Sequence, residues 1–256
     1  MITIKKPEEI ELLREGGRRL AAILQELSDE VKPGVKASFI NDRAEELIRA
    51  GGDLPVFLGY QPDLATRPYP ATLCVSVNDE IVHGIPNEKE KMFKEGDIVG
   101  LDIGLSHEGM IVDTALTVPV GTIDDAARKL LHVTKESLAV GIKAARGGAK
   151  VGDIGAAVEA YVKPHGYGIV RELAGHGVGY AVHEEPYVPN FGKKNTGAVL
   201  KPGMVIAIEP MLNEGTADVI LEDDGYTFRT KDGKRSAHFE HTILITDGAP
   251  EILTKN

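Results

Sequence analysis

The chain has 256 residues, near the upper limit for one hydrophobic core, and a chain of that size can bury about three quarters of its unfolded surface. With 42% hydrophobic and 27% charged residues and a mean hydropathy of −0.11, it reads as an ordinary globular domain spanning 1–256. A formal charge of −10 argues against generic nucleic-acid or membrane-surface binding, and one cysteine excludes an internal disulfide framework. There is no apolar signal core at the amino terminus and no run of transmembrane length, so the expectation is a cytoplasmic enzyme, with no membrane and as a monomer.

Pro7 to Val31 carries apolar residues at Ile10, Leu13, Leu20, Leu24, Leu27 and Val31, with acids early, and predicts an amphipathic helix. Ser38 is the expected cap of a second helix through Ile48, ended by Gly51-Gly52. Phe57 to Pro70 reads as loop and Cys74 to Val77 as a strand. Ile98 to Leu105, the polar turn Ser106-His107-Glu108-Gly109 and the return Met110 to Leu116 predict a hairpin. Helices follow at Ile123–Arg146 and Val151–Val162, the second ended by Pro164-His165-Gly166. Further strands are expected at Gly203–Pro210 and Ala237–Thr246.

The hairpin holds the first chemical signal. Counted about that turn, Asp102 and Asp113 are expected as direct cross-strand partners, with Cβ atoms roughly 4.5–5.5 Å apart. Like charges so placed repel, and burying them unpaired is costly. No Lys or Arg occurs from Gly96 to Pro119, so a metal ion is the natural counter-charge.

An internal repeat is also legible, with halves of roughly 1–120 and 121–256. Gly34, Lys36, Ile40 and Glu45 reappear at a constant offset as Gly148, Lys150, Ile154 and Glu159. Val82-His83-x-x-Pro86 is echoed by Val182-His183-x-x-Pro186, and the run from Gly96 to Asp102 by the run from Gly203 to Glu209. The fold expected is α/β, with pseudo-twofold halves and the site on the axis.

In the second half, Glu209 ends the apolar run Val205 to Ile208, and Glu240 precedes the strand Thr242 to Ile245. His176 is surrounded by Gly175, Gly177 and Gly179. Those glycines suggest backbone pressed close to something bulky or charged, although a glycine-rich turn with an incidental histidine reads equally well. Four carboxylates and one imidazole suit a pair of divalent transition ions, with Co, Mn, Fe, Zn and Ni all compatible. Mg²⁺ or Ca²⁺ more usually dispenses with the histidine, and a structural zinc would use cysteines. Two such ions can hold a hydroxide and polarise a carbonyl, the arrangement for hydrolysing an amide or a phosphate ester. A phosphate substrate would want Arg or a glycine-rich helix start, neither of which lies close to these strands, so amide hydrolysis is favoured.

These residues closely resemble the type I methionine aminopeptidases of the pita-bread metallopeptidase superfamily. The matching text is Cys74 to Pro86 with His83, then Leu101-Asp102, Val112-Asp113-Thr114, Gly175-His176-Gly177, His183-Glu184-Glu185-Pro186, Ile208-Glu209-Pro210 and Phe239-Glu240-His241. The resemblance implies an antiparallel sheet with outer helices and removal of the first methionine from peptides and nascent proteins, preferably before a small second residue. It implies that Asp102 chelates one of two metal ions, that Asp113 and Glu240 bridge both, and that His176 and Glu209 bind the second. Glu209 would also be the general base, His183 a donor to the scissile carbonyl oxygen, and His83 a contact of the scissile amide or leaving amine.

The resemblance places the methionine pocket at Phe57, Tyr60, Tyr69, Cys74, Val182 and Tyr226, with plain core packing the alternative reading of each. Val182 and Tyr226 stand where better-known relatives have Phe and Trp, and the loop from Tyr60 to Tyr69, around Asp63 to Arg67, looks about six residues longer than theirs. A monovalent cation, Na or K, on backbone oxygens of Asn78, Glu80 and Ser236 is implied as well. Association with the ribosome is a further expectation. Lys193, Lys194, Arg229, Lys231, Lys234 and Arg235 could meet RNA phosphates, or be solvated loop charges.

Prolidases and aminopeptidases P share these ligands but usually carry an extra amino-terminal domain, for which this chain leaves no room. Type II enzymes have a large insertion between the last two glutamates, whereas Glu209 and Glu240 stand only 31 positions apart. The rival of another class is a non-catalytic scaffold of this fold that binds peptides or ribosomes.

Overall fold

A computed structural model describes residues 2–62 and 65–255; Asp63 of the long loop lies outside the described residues. Helix α1 (Pro7–Glu30) starts where Pro7 cannot donate, and Glu9 accepts the Lys6 N–H at 2.8 Å. Its stripe of Leu13, Leu20, Leu24 and Leu27 is buried. Helix α2 (Ala37–Ala50) begins one residue before Ser38, with Lys36 at the cap position, so Ser38 belongs to the first turn rather than capping it. Helix α3 (Asp125–Ala144) is capped by Asp124, whose carboxylate accepts the Ala127 N–H at 2.7 Å. Helix α4 (Val151–Val162) ends in a short 3₁₀ turn and a left-handed Gly166.

The strands in chain order are β1 (Leu54–Pro55), β2 (Leu73–Val77), β3 (Glu80–Val82), β4 (Ile98–His107), β5 (Met110–Pro119), β6 (Gly168–Ile169), β7 (Gly175–Gly177), β8 (Glu184–Val188), β9 (Val205–Ile208), β10 (Met211–Asn213), β11 (Val219–Leu221), β12 (Phe228–Thr230), β13 (Ser236–His238), β14 (Glu240–Leu244) and β15 (Glu251–Ile252). The main sheet runs β1-β4-β5-β14-β9-β7-β8, with β2 also on β4 and β15 also on β14. Every pairing in it is antiparallel.

This order is symmetric about the β5–β14 junction, with β4 outside β5 and β9 outside β14. The repeat in the sequence has a backbone counterpart. Gly34 and Gly148 turn at φ 86° and 84°, and Gly96 and Gly203 at 91° and 87°. Lys36 bridges to Met92 as Lys150 bridges to Val199. These turns need the left-handed region, which glycine enters without a side-chain penalty.

Alternation along the strands divides the sheet into two faces. Val99, Leu101, Ile103 and Leu105 of β4 pack with Leu13, Leu20 and Ile40 of α1 and α2. Ile206, Ile208 and Ile243 pack with Leu138, Ile142 and Ile154 of α3 and α4. The residues between them on β4 and β5, including Asp102 and Asp113, turn to the opposite face. No helix among the described residues is long and apolar enough to cross a membrane.

Candidate active site

The β4–β5 hairpin closes with a two-residue turn, Glu108-Gly109, both at positive φ (47° and 86°). His107 pairs with Met110, so Asp102 lies opposite Ala115 and Asp113 opposite Gly104. The expectation that the two acids face each other directly is therefore corrected. The shorter turn shifts the register by two residues, and they are diagonal neighbours. Because the shift is even, both remain on the face away from the helices.

That face opens into a cavity of about 360 Å³, bordered by Asp102, Asp113, His176, Glu209 and Glu240, and by His83 and His183. Ligand atoms of Asp113, His176 and Glu240 all lie within 4.8 Å of one another. His176 Nε2 is 3.4 Å from Asp113 Oδ2 and 3.4 Å from Glu209 Oε1. The acids arrive from both sides of the pseudo-twofold junction: Asp102 and Asp113 from β4 and β5, Glu209 and Glu240 from the end of β9 and the start of β14.

The three glycines near His176 have causes within the protein. A Cβ on Gly175 would lie 2.3 Å from the Ala207 carbonyl oxygen, and one on Gly177 2.2 Å from that of Glu185. Gly179, at φ +140°, lies against the Lys5 side chain. Close approach holds, and what approaches is the protein's own backbone and one lysine.

The electrostatics of the cavity test whether metal ions fit. His176 Nδ1 is 3.0 Å from the Gly177 carbonyl oxygen, so Nδ1 carries the proton and donates it there. Burial lowers the imidazole to about 4, which keeps it neutral. Its Nε2 lone pair therefore points at two carboxyl oxygens, contacts that need a proton or a cation between the partners. Burial raises Asp102, Asp113, Glu209 and Glu240 above the ordinary carboxylate range, and like-charge neighbours add to the shift at Asp102, Glu209 and Glu240. No Lys or Arg among the described residues borders the cavity. Divalent cations satisfy this donor set: they accept the imidazole lone pair and compensate the carboxylates.

Two supporting residues escaped the sequence reading. Thr242 Oγ1 lies 2.8 Å from Asp113 Oδ1 and accepts the Asp113 N–H at 3.1 Å. His238 Nε2 is buried with no hydrogen-bond partner among the described residues and sits 3.8 Å from Glu209 Oε2. Both stand two positions from Glu240, and period-two alternation is the signal that marks them.

Phe57, Tyr60, Tyr69, Cys74, Val182 and Tyr226 all border the same cavity, joined by Pro62, Ala65, Leu221, Gly225 and Phe228, which the sequence reading did not single out. The Tyr69 and Tyr226 rings meet edge to face at 5.1 Å. His83 holds a left-handed backbone (φ 58°), and burial, with His183 and His176 nearby, lowers its ring to about 4. Such a conformation in a non-glycine residue is strained and gathers at functional sites.

Elsewhere, Ser236 N–H donates to the Asn78 carbonyl oxygen at 2.8 Å, and Glu80 pairs with Arg229 across β3 and β12. Of the basic positions, Arg229 is matched by Asp79, Glu80 and Glu222, and Arg235 by Asp124 and Glu214. Lys193, Lys194, Lys231 and Lys234 are exposed.

Comparison with known proteins agrees with this geometry. Residues 11–247 match the model of Metallopeptidase family M24. Methionine aminopeptidase 1 of Bacillus subtilis (strain 168) is 44% identical over 255 residues, covering 100% of both chains. The methionine aminopeptidase of Aquifex aeolicus (strain VF5) is 45% identical, covering 99% of each. The crystal structure of methionine aminopeptidase from Thermotoga maritima superposes with a TM-score of 0.95 at 42% identity over 100% of both chains. Prolidase from Pyrococcus furiosus, 23% identical with a TM-score of 0.77, covers 99% of this chain and 65% of its own length, a likeness of fold alone. The expected pita-bread architecture is thus the observed one. The chain belongs to the methionine aminopeptidases of metallopeptidase family M24.

Proposed function

We propose that this chain, acting as one catalytic unit, hydrolyses the first peptide bond of peptides and nascent proteins that begin with methionine, preferably before a small second residue. The observation that carries this reading is the neutral His176, whose lone pair meets two carboxylates in a cavity with apolar walls. Asp102, Asp113, His176, Glu209 and Glu240 would hold two divalent ions. When bound, these supply Lewis-acid polarisation of the carbonyl and a water that is nucleophilic at neutral pH.

The chain's own groups do the rest. Glu209, which bound divalent ions would keep ionised, takes the proton of the attacking water. His183 donates to the carbonyl oxygen as negative charge develops there. His83, neutral and fixed by its backbone, contacts the scissile amide and assists the leaving amine. Apolar and aromatic edges at Phe57, Tyr69, Cys74 and Tyr226 suit a thioether. A monovalent cation on the backbone oxygens of Asn78, Glu80 and Ser236, and contact of the exposed lysines with ribosomal RNA, extend the proposal.

Metal quantitation combined with turnover of Met-Ala-Ser tests it. Divalent metal together with release of methionine is expected. Absence of both would leave only the scaffold reading, and cleavage without bound metal would overturn the assigned ligand set.

A further inference from the structure

The segment Thr3–Lys6 crosses the turn 179–183, which joins β7 to β8 and carries Val182 and His183 into the cavity. The Lys5 side chain is 0% exposed, and its Nζ lies 2.7 Å from Glu184 Oε2. The same ammonium stands 4.4 Å from the centre of the Tyr180 ring and donates to Thr3 Oγ1. Thr3 Oγ1 in turn donates to Glu184 Oε2 at 2.6 Å.

The other oxygen of Glu184 accepts the backbone N–H groups of Tyr180 and Ala181, so this carboxylate ties the turn to itself. The segment is anchored separately: Lys5 N–H donates to the Gly203 carbonyl oxygen at 2.8 Å. Tyr180 Oη donates to Glu9 Oε2 at 2.6 Å, and Gly179 accepts the Ile111 N–H at 2.7 Å.

Lys5 does not border the cavity. Buried ion pairs are seldom the most stable choice, since apolar replacements of similar volume are often as good. What this pair supplies is geometry, because Glu184 immediately follows His183 and organises the turn before it.

We propose that Lys5 is a positioning residue: through Glu184 it fixes the turn that carries His183, so that the amino-terminal segment sets where the imidazole meets the substrate carbonyl. This rests on the reading of His183 as the carbonyl donor.

The test is a double-mutant cycle on the metal-loaded full chain. Lys5→Met is expected to lower kcat on Met-Ala-Ser by about 10–100-fold, as sub-ångström to ångström misplacement does, while KM hardly moves. In the His183→Ala background the same substitution should lower kcat no further, because the group it positions is gone. Equal losses in both backgrounds would overturn the proposal. If Lys5→Met does not fold, Lys5→Gln, which removes the positive charge facing Glu184 and keeps a polar stem, is measured in the same cycle with the same outcomes.

A readout independent of turnover is amide hydrogen exchange. Lys5→Met should speed exchange in 179–183 and leave β9 and β14 unchanged, and uniform acceleration would overturn the proposal. If His183→Ala alone keeps full turnover, the donor reading fails, whereas the exchange result still decides whether Lys5 holds the turn.

Discussion

The hydroxyl of Tyr60 lies 2.7 Å from Nδ1 of His183, with the two rings tilted and their centroids 5.3 Å apart. A hydroxyl that donates to Nδ1 leaves the imidazole proton on Nε2 and makes that nitrogen the donor. The role proposed for His183, donating from Nε2, requires Tyr60 to be the donor in this pair.

Tyr60→Phe keeps the apolar wall and removes this partner. A hydrogen bond worth about 1 kcal/mol corresponds to roughly fivefold in rate, so kcat should fall by about that factor with KM nearly unchanged. His183→Ala should cost more, about 10²–10³-fold, as for loss of an oxyanion donor. Steady-state kinetics on Met-Ala-Ser decide, and a raised KM at constant kcat would reduce Tyr60 to a wall.

Asp113→Ala should lose bound metal as well as turnover. It removes the carboxylate that shares a 4.8 Å cluster with His176 and Glu240 and that Thr242 orients. Thr242→Val, which leaves every acid in place, should weaken metal affinity by about 10–100-fold, as expected for a group that orients a ligand. Elemental analysis after dialysis against dilute metal gives the answer, and normal metal content in Asp113→Ala would contradict its assignment.

Gly177→Ala should destabilise the fold by about 1–3 kcal/mol or more, as overpacking does. The added methyl would sit 2.2 Å from the Glu185 carbonyl oxygen, and strand β7 could accept it only by moving away from β8. His176 would move with it, so weaker metal binding should accompany a lower Tm. An unchanged Tm would show that the strands separate there at little cost.

Stability of the chelator-treated protein should fall as pH rises above about 6.5. Burial holds Asp102, Asp113, Glu209 and Glu240 above the usual range, so the folded state keeps protons that the unfolded chain releases at about pH 4. Between about pH 4 and 6.5, His83, His176, His183, His238 and His241, held neutral by desolvation, act in the opposite sense. The loss of stability therefore shows from about 6.5 upward, where the carboxyls alone still differ. Divalent ions favour the ionised carboxylates, so the metal-loaded protein should show the opposite slope. Thermal melts at several pH values, with chelator and with metal, separate the two cases. Parallel curves would mean that the acids are compensated in some other way.

Much of this site was legible because carboxylates in apolar strands are conspicuous: Asp102, Asp113, Glu209 and Glu240 break otherwise hydrophobic runs. Register was not legible. His107 could belong to the turn or to the strand, and only the positive φ of Glu108 and Gly109 selects the two-residue loop. The glycines around His176 were visible, but what presses on them comes from segments remote in sequence, Glu185, Ala207 and Lys5. Thr242 and His238 looked like ordinary strand residues until their atoms were seen beside Asp113 and Glu209.

The matched halves bear on ancestry. Asp102 and Asp113 correspond across the β5–β14 junction to Glu209 and Glu240, so a shorter polypeptide pairing with its own twin would already have gathered one acid couple from each copy. Such a twin obliges every change to occur twice. Once the copies were joined in tandem, one arm could keep aspartates while the other lengthened to glutamates, and lopsided chemistry could arise at a symmetric joint.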